Sequence, residues 1–327
     1  MFKALMLNRE GRSTRAEIVE MDEKDLPEGD VTLRIEYSTL NYKDALAITG
    51  RGAIVKTWPL VAGIDLAGVV EHSESPDWKP GDAVVINGWG LGETRHGGLS
   101  ERTRVQSDWL LKVPQPYDTH GAMAVGTAGY TAALAVQALL RHGLTSSSGK
   151  VLVTGASGGV GSFAVRLLAA LGFEVDASTG RSSSHEALRK LGASGLIERA
   201  ELSSPGKPLQ SERWCGVVDT VGSHTLANAC AQTKWHGAVA ACGLAQGPDF
   251  PGTVMPFILR AVNLYGINCV FVPNEQRRSA WALLAEHVSP ELLRSMSHDI
   301  GLTQAVAAST DLLEGRLQGR VVVDVHR

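Results

Sequence analysis

Thiols, net charge and long apolar runs are all scarce in this sequence, and each scarcity removes a class of protein. The four cysteines, Cys215, Cys230, Cys242 and Cys269, fall in the second half of the 327 residues, and none forms a C-x-x-C pair. That excludes a disulfide scaffold and a redox dithiol, and predicts reduced, mostly buried thiols. The formal net charge is only −3 and the basic residues are scattered, so no nucleic-acid partner is expected. No apolar segment reads as long enough to cross a bilayer, so no membrane partner is expected either. Residues 1–10 carry charge too early for a signal peptide, which predicts a cytoplasmic protein. No internal repeat and no low-complexity tract is present.

The sequence does have the length and apolar content of an ordinary globular protein. With 44% apolar and 20% charged residues, a chain this long suits two domains better than one core. Up to about residue 115 the pattern is β-rich. Residues 30–37 alternate apolar and polar side chains, 66–71 and 81–86 are short runs bounded by turn residues, and Pro80-Gly81-Asp82 is a turn. Helical periodicity is scarce there, which predicts a partly open barrel. From Met123 the pattern changes. A helix is predicted over 128–140, followed by strands at 151–154, 173–178, 215–219 and 237–242 that alternate with helices at 159–171, 184–191 and 224–233. Such alternation predicts a doubly wound parallel sheet. A capped helix over 274–286 and a strand over 319–325 follow, the strand returning to the first domain's sheet.

The most informative stretch is Val151-Leu-Val-Thr-Gly-Ala-Ser-Gly-Gly-Val-Gly161. An apolar strand runs into a glycine turn that opens a helix. Gly155 permits the bend, Gly158 lets backbone approach a pyrophosphate, and Gly161 lets the helix pack closely on the sheet. The N–H groups around Ser157, Gly158, Gly159, Val160 and Gly161 would then face phosphate. About twenty residues on, Ser178-Thr179-Gly180-Arg181 places hydroxyls and a guanidinium where such folds hold the adenosine ribose. The combination predicts NADPH and an oxidoreductase. Asp176 is a competing signal, since an acid there can touch ribose hydroxyls. A rival reading is the G-x-S-x-G nucleophile elbow over Gly155–Gly159. It makes Ser157 a hydrolase nucleophile, with Asp249 or Asp299 and His298 or His326 as partners. It does not explain Gly161 or Arg181.

The layout resembles the medium-chain dehydrogenase/reductase superfamily, a GroES-like barrel followed by a Rossmann domain. Leu40-Asn-Tyr-Lys-Asp44, Gly63-Ile-Asp-Leu-Ala-Gly68, Gly97-Gly-Leu-Ser-Glu101, Gly126-Thr-Ala-Gly129, Val254-Met-Pro-Phe-Ile-Leu-Arg260 and Gln318-Gly-Arg320 are similar to its zinc-free, quinone-oxidoreductase-like branch. That branch includes NADPH-dependent acryloyl-coenzyme A reductase. The resemblance implies a GroES-like catalytic domain over 1–122 with a return over 297–327, and a Rossmann NADPH-binding domain over 123–296. It implies no metal: Asn41 stands near the place of the alcohol-dehydrogenase branch's cysteine ligand, Gly63-Ile64-Asp65 replaces that branch's Gly-His-Glu phrase with no imidazole, and there is no cysteine before Cys215. It places the family's ribose-binding acid at Thr179.

The resemblance puts the stretch Asn41, Tyr42, Lys43 and Asp44 beside the nicotinamide. Tyr42 is the first choice as hydrogen-bond donor or ring contact, Asn41 and Lys43 are polarising groups, and Asp44 orients a neighbour. Further cofactor contacts are implied at Thr127, Leu244, Ile258, Cys269 and Arg320. The implied reaction is NADPH-dependent reduction of an activated carbon–carbon double bond, acryloyl-CoA to propanoyl-CoA. The alternatives are a quinone reductase and a non-catalytic, crystallin-like NADPH binder. A coenzyme A substrate would want cations for its phosphates, with Lys56, Arg102 and Arg104 as candidates. The β character of 264–272 and its counterpart in relatives imply an edge strand that pairs across a homodimer.

Overall fold

The computed structural model of the chain describes residues 1–11 and 13–327. It divides into two compact units. The first comprises residues 1–127, 269–285 and 289–327, and the second 128–268 and 286–288. The sequence reading drew its boundaries at 122/123 and 296/297, so most of the stretch 269–296 belongs to the first unit rather than the second.

The second unit is built on six parallel strands. In spatial order these are Gly195–Glu198, Val175–Thr179, Val151–Val153, Trp214–Asp219, Thr233–Ala241 and Asn263–Gly266. This is the doubly wound order, with the chain reversing direction across the sheet at Val151–Val153. The central strands are apolar on both faces because crossovers such as Gly159–Ala170 and Ser223–Gln232 cover them. Leu152, Trp214, Val217 and Val239 are fully buried among them. The strand expected over 264–272 stops at Gly266. Beyond residue 268 the chain belongs to the first unit, where the buried Arg277 guanidinium holds the Val270 and Val272 carbonyls at 2.7 Å. Those oxygens are therefore not available to a strand ladder.

The first unit has the expected β-rich, partly open barrel architecture. Antiparallel pairing joins Val31–Leu40 to Asp65–Ser73, and that strand to Ala83–Asn87. A second sheet pairs Phe2–Glu10 with Ser13–Met21, a hairpin that no sequence signal had suggested. The last strand, Arg320–Asp324, returns antiparallel onto Val31–Leu40, with Val321 opposite Leu40. This places Leu40, Val321 and Val323 in one core cluster with Leu5, Leu7 and Leu99.

One helical stretch, Thr119–His142, is long and apolar enough to cross a membrane, contrary to the sequence reading. It is not one continuous helix: Gly126 breaks it with φ 52° and ψ −164°. Its most apolar window is 83% buried within the protein, as in a core helix.

Candidate active site

In the second unit the glycine turn has the geometry its sequence suggests. Gly155 takes φ 57°, a backbone conformation natural to glycine. A side chain at Gly161 would collide with the Gly155 carbonyl oxygen and lie 2.7 Å from the Ala156 Cα. The helix Gly159–Ala170 starts after Gly158, and no side chain caps it. Its first N–H groups and the positive end of its dipole therefore remain for an anion. At the end of the next strand Ser157 Oγ lies 2.9 Å from Thr179 Oγ1, and the Arg181 N–H donates to that same oxygen at 3.1 Å. Ser157, Thr179 and Arg181 are thus gathered in one place. The Arg181 guanidinium makes no hydrogen bond or ion pair among the described residues.

Asp176 plays a different part. Trp214 Nε1 donates to it at 2.8 Å and Lys150 Nζ lies 3.4 Å away. Both of its oxygens are engaged beneath the strand end, which removes it as a ribose ligand. Arg199, which the sequence reading missed, packs its guanidinium against Gly180, where a Cβ would stand 2.8 Å from its Cζ. An uncapped helix, a strand that ends in Thr179 instead of an acid, and two nearby cations fit a cofactor with a phosphorylated ribose. The nucleophile elbow lacks its base. Ser157 pairs with Thr179, Asp249 with Ser223 and Asp299 with His120, and His326 Nε2 lies at the Ile35 carbonyl.

In the first unit a buried polar cluster forms around Asp65, the residue that opens the strand Asp65–Ser73. Its carboxylate accepts from Asn41 Nδ2 at 2.8 Å, Asn87 Nδ2 at 2.7 Å, the Thr127 N–H at 2.8 Å and Thr127 Oγ1 at 2.6 Å. Asn41 precedes the helix Tyr42–Ile48 and gives Asp44 both its backbone N–H at 2.8 Å and its Nδ2 at 3.0 Å. Ile64 N donates to the other Asp44 oxygen at 2.8 Å. Arg320 completes the cluster. It donates to the Ala124 carbonyl at 3.2 Å, the Leu40 carbonyl at 3.4 Å, Thr39 Oγ1 at 2.9 Å and Asn41 Oδ1 at 3.2 Å. Gly126 makes room for this, since a Cβ there would stand 2.8 Å from Arg320 Nη2 and 3.1 Å from Asp65 Oδ2.

The electrostatics follow from burial. Desolvation and the neighbouring Asp65 charge push Asp44 up to about 7, against the three N–H groups that favour its ionised form. Burial pulls Arg320 down, while Asp65 and Asp44 hold it up. Arg320 is the cation that balances this pair of acids, and four of its five N–H groups are engaged within the cluster. The structure gives Arg320, expected as a cofactor contact, a supporting place in this cluster as well. Asn41 is likewise buried, with both of its amide hydrogens engaged. Asp65, Asn87 and Thr39 were not singled out from the sequence. The one available signal was an acid at the mouth of an apolar strand, in Gly63-Ile-Asp65-Leu-Ala.

Of the four expected catalytic residues, Tyr42 is the one presented outward. It is 50% exposed and makes no hydrogen bond among the described residues. Lys43 is held by Glu93 at 2.8 Å. Thr127 and Cys269 lie in the first unit. Leu244 and Ile258, in the second, are 57% and 71% exposed and belong to no core.

Residues 27–115 match the family of alcohol dehydrogenase GroES-like domains, and residues 159–286 that of zinc-binding dehydrogenases. Over 329 residues, covering 100% of both proteins, the chain is 48% identical to acrylyl-CoA reductase AcuI of Ruegeria pomeroyi. It is 46% identical over 324 residues to probable acrylyl-CoA reductase AcuI of Escherichia coli, covering 99% of this chain and 100% of that protein. A putative quinone oxidoreductase, YhfP of Bacillus subtilis, is 40% identical over 325 residues, with 99% and 98% covered. Among solved structures, the yhdH oxidoreductase of Salmonella enterica in complex with NADP superposes with a TM-score of 0.96 at 44% identity, covering 99% of each chain. The B. subtilis yhfP structure with NAD bound has a TM-score of 0.95 at 40% identity, again over 99% of each.

The zinc of the second family's description does not fit this donor set. Asp65 has its lone pairs filled by four N–H and O–H donors, and its neighbours Asn41 and Asn87 offer amide N–H groups. Among the described residues no group of three or more His, Cys, Asp or Glu side chains is placed to hold a metal.

Proposed function

Because the chain belongs to the medium-chain dehydrogenase/reductase family, we propose that it reduces an activated carbon–carbon double bond with NADPH, taking acrylyl-CoA to propanoyl-CoA. The observation that carries this reading is identity of 46–48% over essentially the whole chain to two proteins named acrylyl-CoA reductase.

When bound, NADPH supplies the hydride. The chain's own residues supply the rest. The uncapped helix after Gly158 takes the pyrophosphate, and Ser157, Thr179, Gly180 and Arg181, with Ser178 just before them in the strand, take the phosphorylated ribose. Arg181 meets the phosphate through its planar fork. As hydride reaches the β-carbon, negative charge gathers on the thioester oxygen. A preorganised donor aimed at that oxygen lowers the barrier by about 3–4 kcal/mol. Tyr42, half exposed and with a free hydroxyl, is assigned that role. The Asp65 cluster fixes Asn41, at the start of Tyr42's helix, and Thr127, so that neither moves as charge develops.

Quinone reduction is the second reading, favoured by the full-length identity to YhfP. Anaerobic NADPH oxidation with acrylyl-CoA and with a quinone, followed by mass analysis for propanoyl-CoA, separates the two. Turnover of quinone with none of acrylyl-CoA would replace the first reading by the second. No turnover of either would favour a non-catalytic binder. We also infer a homodimer, from the short edge strand Asn263–Gly266 and its partly exposed Leu264. Light scattering at the mass of one chain would overturn it.

A further inference from the structure

The first unit holds a second feature, a cavity of about 490 Å³. That volume lies within the roughly 300–1,000 Å³ typical of small-ligand sites. Arg95, His96, Arg104 and Trp109 line it, together with the Thr57 hydroxyl, and Glu28 is the one carboxylate on its wall. The two arginines make no ion pair among the described residues. Arg104 Nε donates to Thr32 Oγ1 at 3.3 Å. Arg95 donates to the Trp89 carbonyl at 2.6 Å, and its guanidinium lies 4.8 Å over the Trp109 ring. Arg102, on the same strand as Arg104, is by contrast neutralised by Glu23 and Glu71. Lys56, the remaining cation expected for phosphate, donates to the Ala53 carbonyl.

His96 adds a directed donor. Its Nδ1 accepts the Val61 N–H at 2.9 Å, and burial holds the ring below its ordinary value, hence neutral. The ring proton must then sit on Nε2, which has no partner among the described residues. The cavity thus combines two guanidinium groups outside any ion pair among the described residues, one ring N–H and a flat cationic and aromatic wall. That set matches phosphate groups on a ribose whose attached planar base can lie against the wall. The loop that bears Arg95 and His96 also bears Glu93, the partner of Lys43 beside Tyr42.

We propose that this cavity binds the phosphorylated adenosine end of the coenzyme A thioester. The assignment rests on the acrylyl-CoA reading and names where that substrate's charged end is held. The first test uses the full chain with its cofactor site saturated by NADP⁺, titrated with adenosine 3′,5′-bisphosphate while tryptophan fluorescence is followed. Saturable binding is expected, weakened about tenfold by Arg104→Gln or Arg95→Gln and largely kept by Arg104→Lys, each variant being checked for an unchanged circular dichroism spectrum. The second test is kinetic. Arg104→Gln should raise KM for acrylyl-CoA about tenfold and KM for acrylyl-pantetheine, which lacks the nucleotide, less than twofold. Absence of nucleotide binding, or equal shifts in the two KM values, overturns the assignment and leaves acrylyl-CoA turnover standing. Arginine-dependent nucleotide binding with no acrylyl-CoA turnover overturns both the coenzyme A assignment and the reading beneath it.

Discussion

Replacing Arg320 by methionine is the sharpest test of the buried cluster. The substitution keeps most of the volume and deletes the charge. Arg320 is 4% exposed and bonded to two carbonyls, Thr39 and Asn41, with Asp65 and Asp44 as its electrostatic partners. Removing one partner of a buried charge pair costs about 3–5 kcal/mol. Three of the four bonds are long, 3.2, 3.4 and 3.2 Å to Ala124, Leu40 and Asn41, so the lower end, about 3 kcal/mol, is expected.

The cost should depend on pH, with a definite sign. Asp44 already stands at about 7 in the folded protein, above the ordinary 3.8 of an aspartate. A raised acid pKa destabilises the fold at pH above it, and the penalty is relieved as pH falls toward the unfolded value. Without the cation Asp44 rises further, so the gap between Arg320→Met and the parent should be largest near pH 8 and shrink by pH 5.5. Urea denaturation followed by tryptophan fluorescence at the two pH values measures it. A gap below about 1 kcal/mol, or one of the same size at both pH values, would show that Arg320 does not balance these acids.

Four further outcomes are expected. Gly126→Ala forces a Cβ to 2.8 Å from Arg320 Nη2 at φ 52°; it should cost about 1–3 kcal/mol in denaturation and lower kcat through Thr127. Arg181→Ala should raise KM for NADPH about tenfold while leaving KM for NADH nearly constant, because only the former carries the phosphate that the guanidinium meets. Tyr42→Phe should lower kcat by about 10²–10³ with NADPH affinity retained, as measured by fluorescence titration; an unchanged kcat would remove Tyr42 from the chemistry. Finally, the Cys215 and Cys230 thiols, raised by burial, the second to about 12, should alkylate far more slowly at pH 8 than Cys242 or Cys269, as peptide mass mapping will show.

The second unit was largely legible because its signals are local. An apolar strand, four glycines and a helix lie within twenty residues, and periodicity located the helices His185–Leu191 and Ser223–Gln232 to within a position or so, though not Met255–Arg260. What was missed there is short or overruled. Gly195–Glu198 is a four-residue, mostly half-buried strand with little pattern. The run 264–272 has strand composition throughout, but Arg277, itself on a later helix, takes the carbonyls a strand would use. The active-site cluster was legible only in part. Asn41 and Asp44 stood out as a phrase, whereas Asp65 is 24 positions from Asn41, and Arg320 is 279. No local pattern reports a bond across such a span. The predicted helix opened at 128, just past Gly126, so the helical turns of 119–125 went unseen, and the break at Gly126 follows from what a side chain there would strike.

The pairing of Arg320–Asp324 with Val31–Leu40 bears on the order in which the protein can be made. During synthesis the six parallel strands have all emerged once residue 266 is clear of the ribosome, whereas Thr39 and Asn41 must wait for almost the entire remaining chain before their guanidinium arrives. Until then two acids sit together with no counter-charge, and the strand 31–40 has an open flank. Stalled nascent chains ending near residue 315 should therefore protect amides of 214–219 against exchange while those of 38–40 remain labile. The parallel sheet is thus expected to form before the strand that carries Arg320 reaches Val31–Leu40.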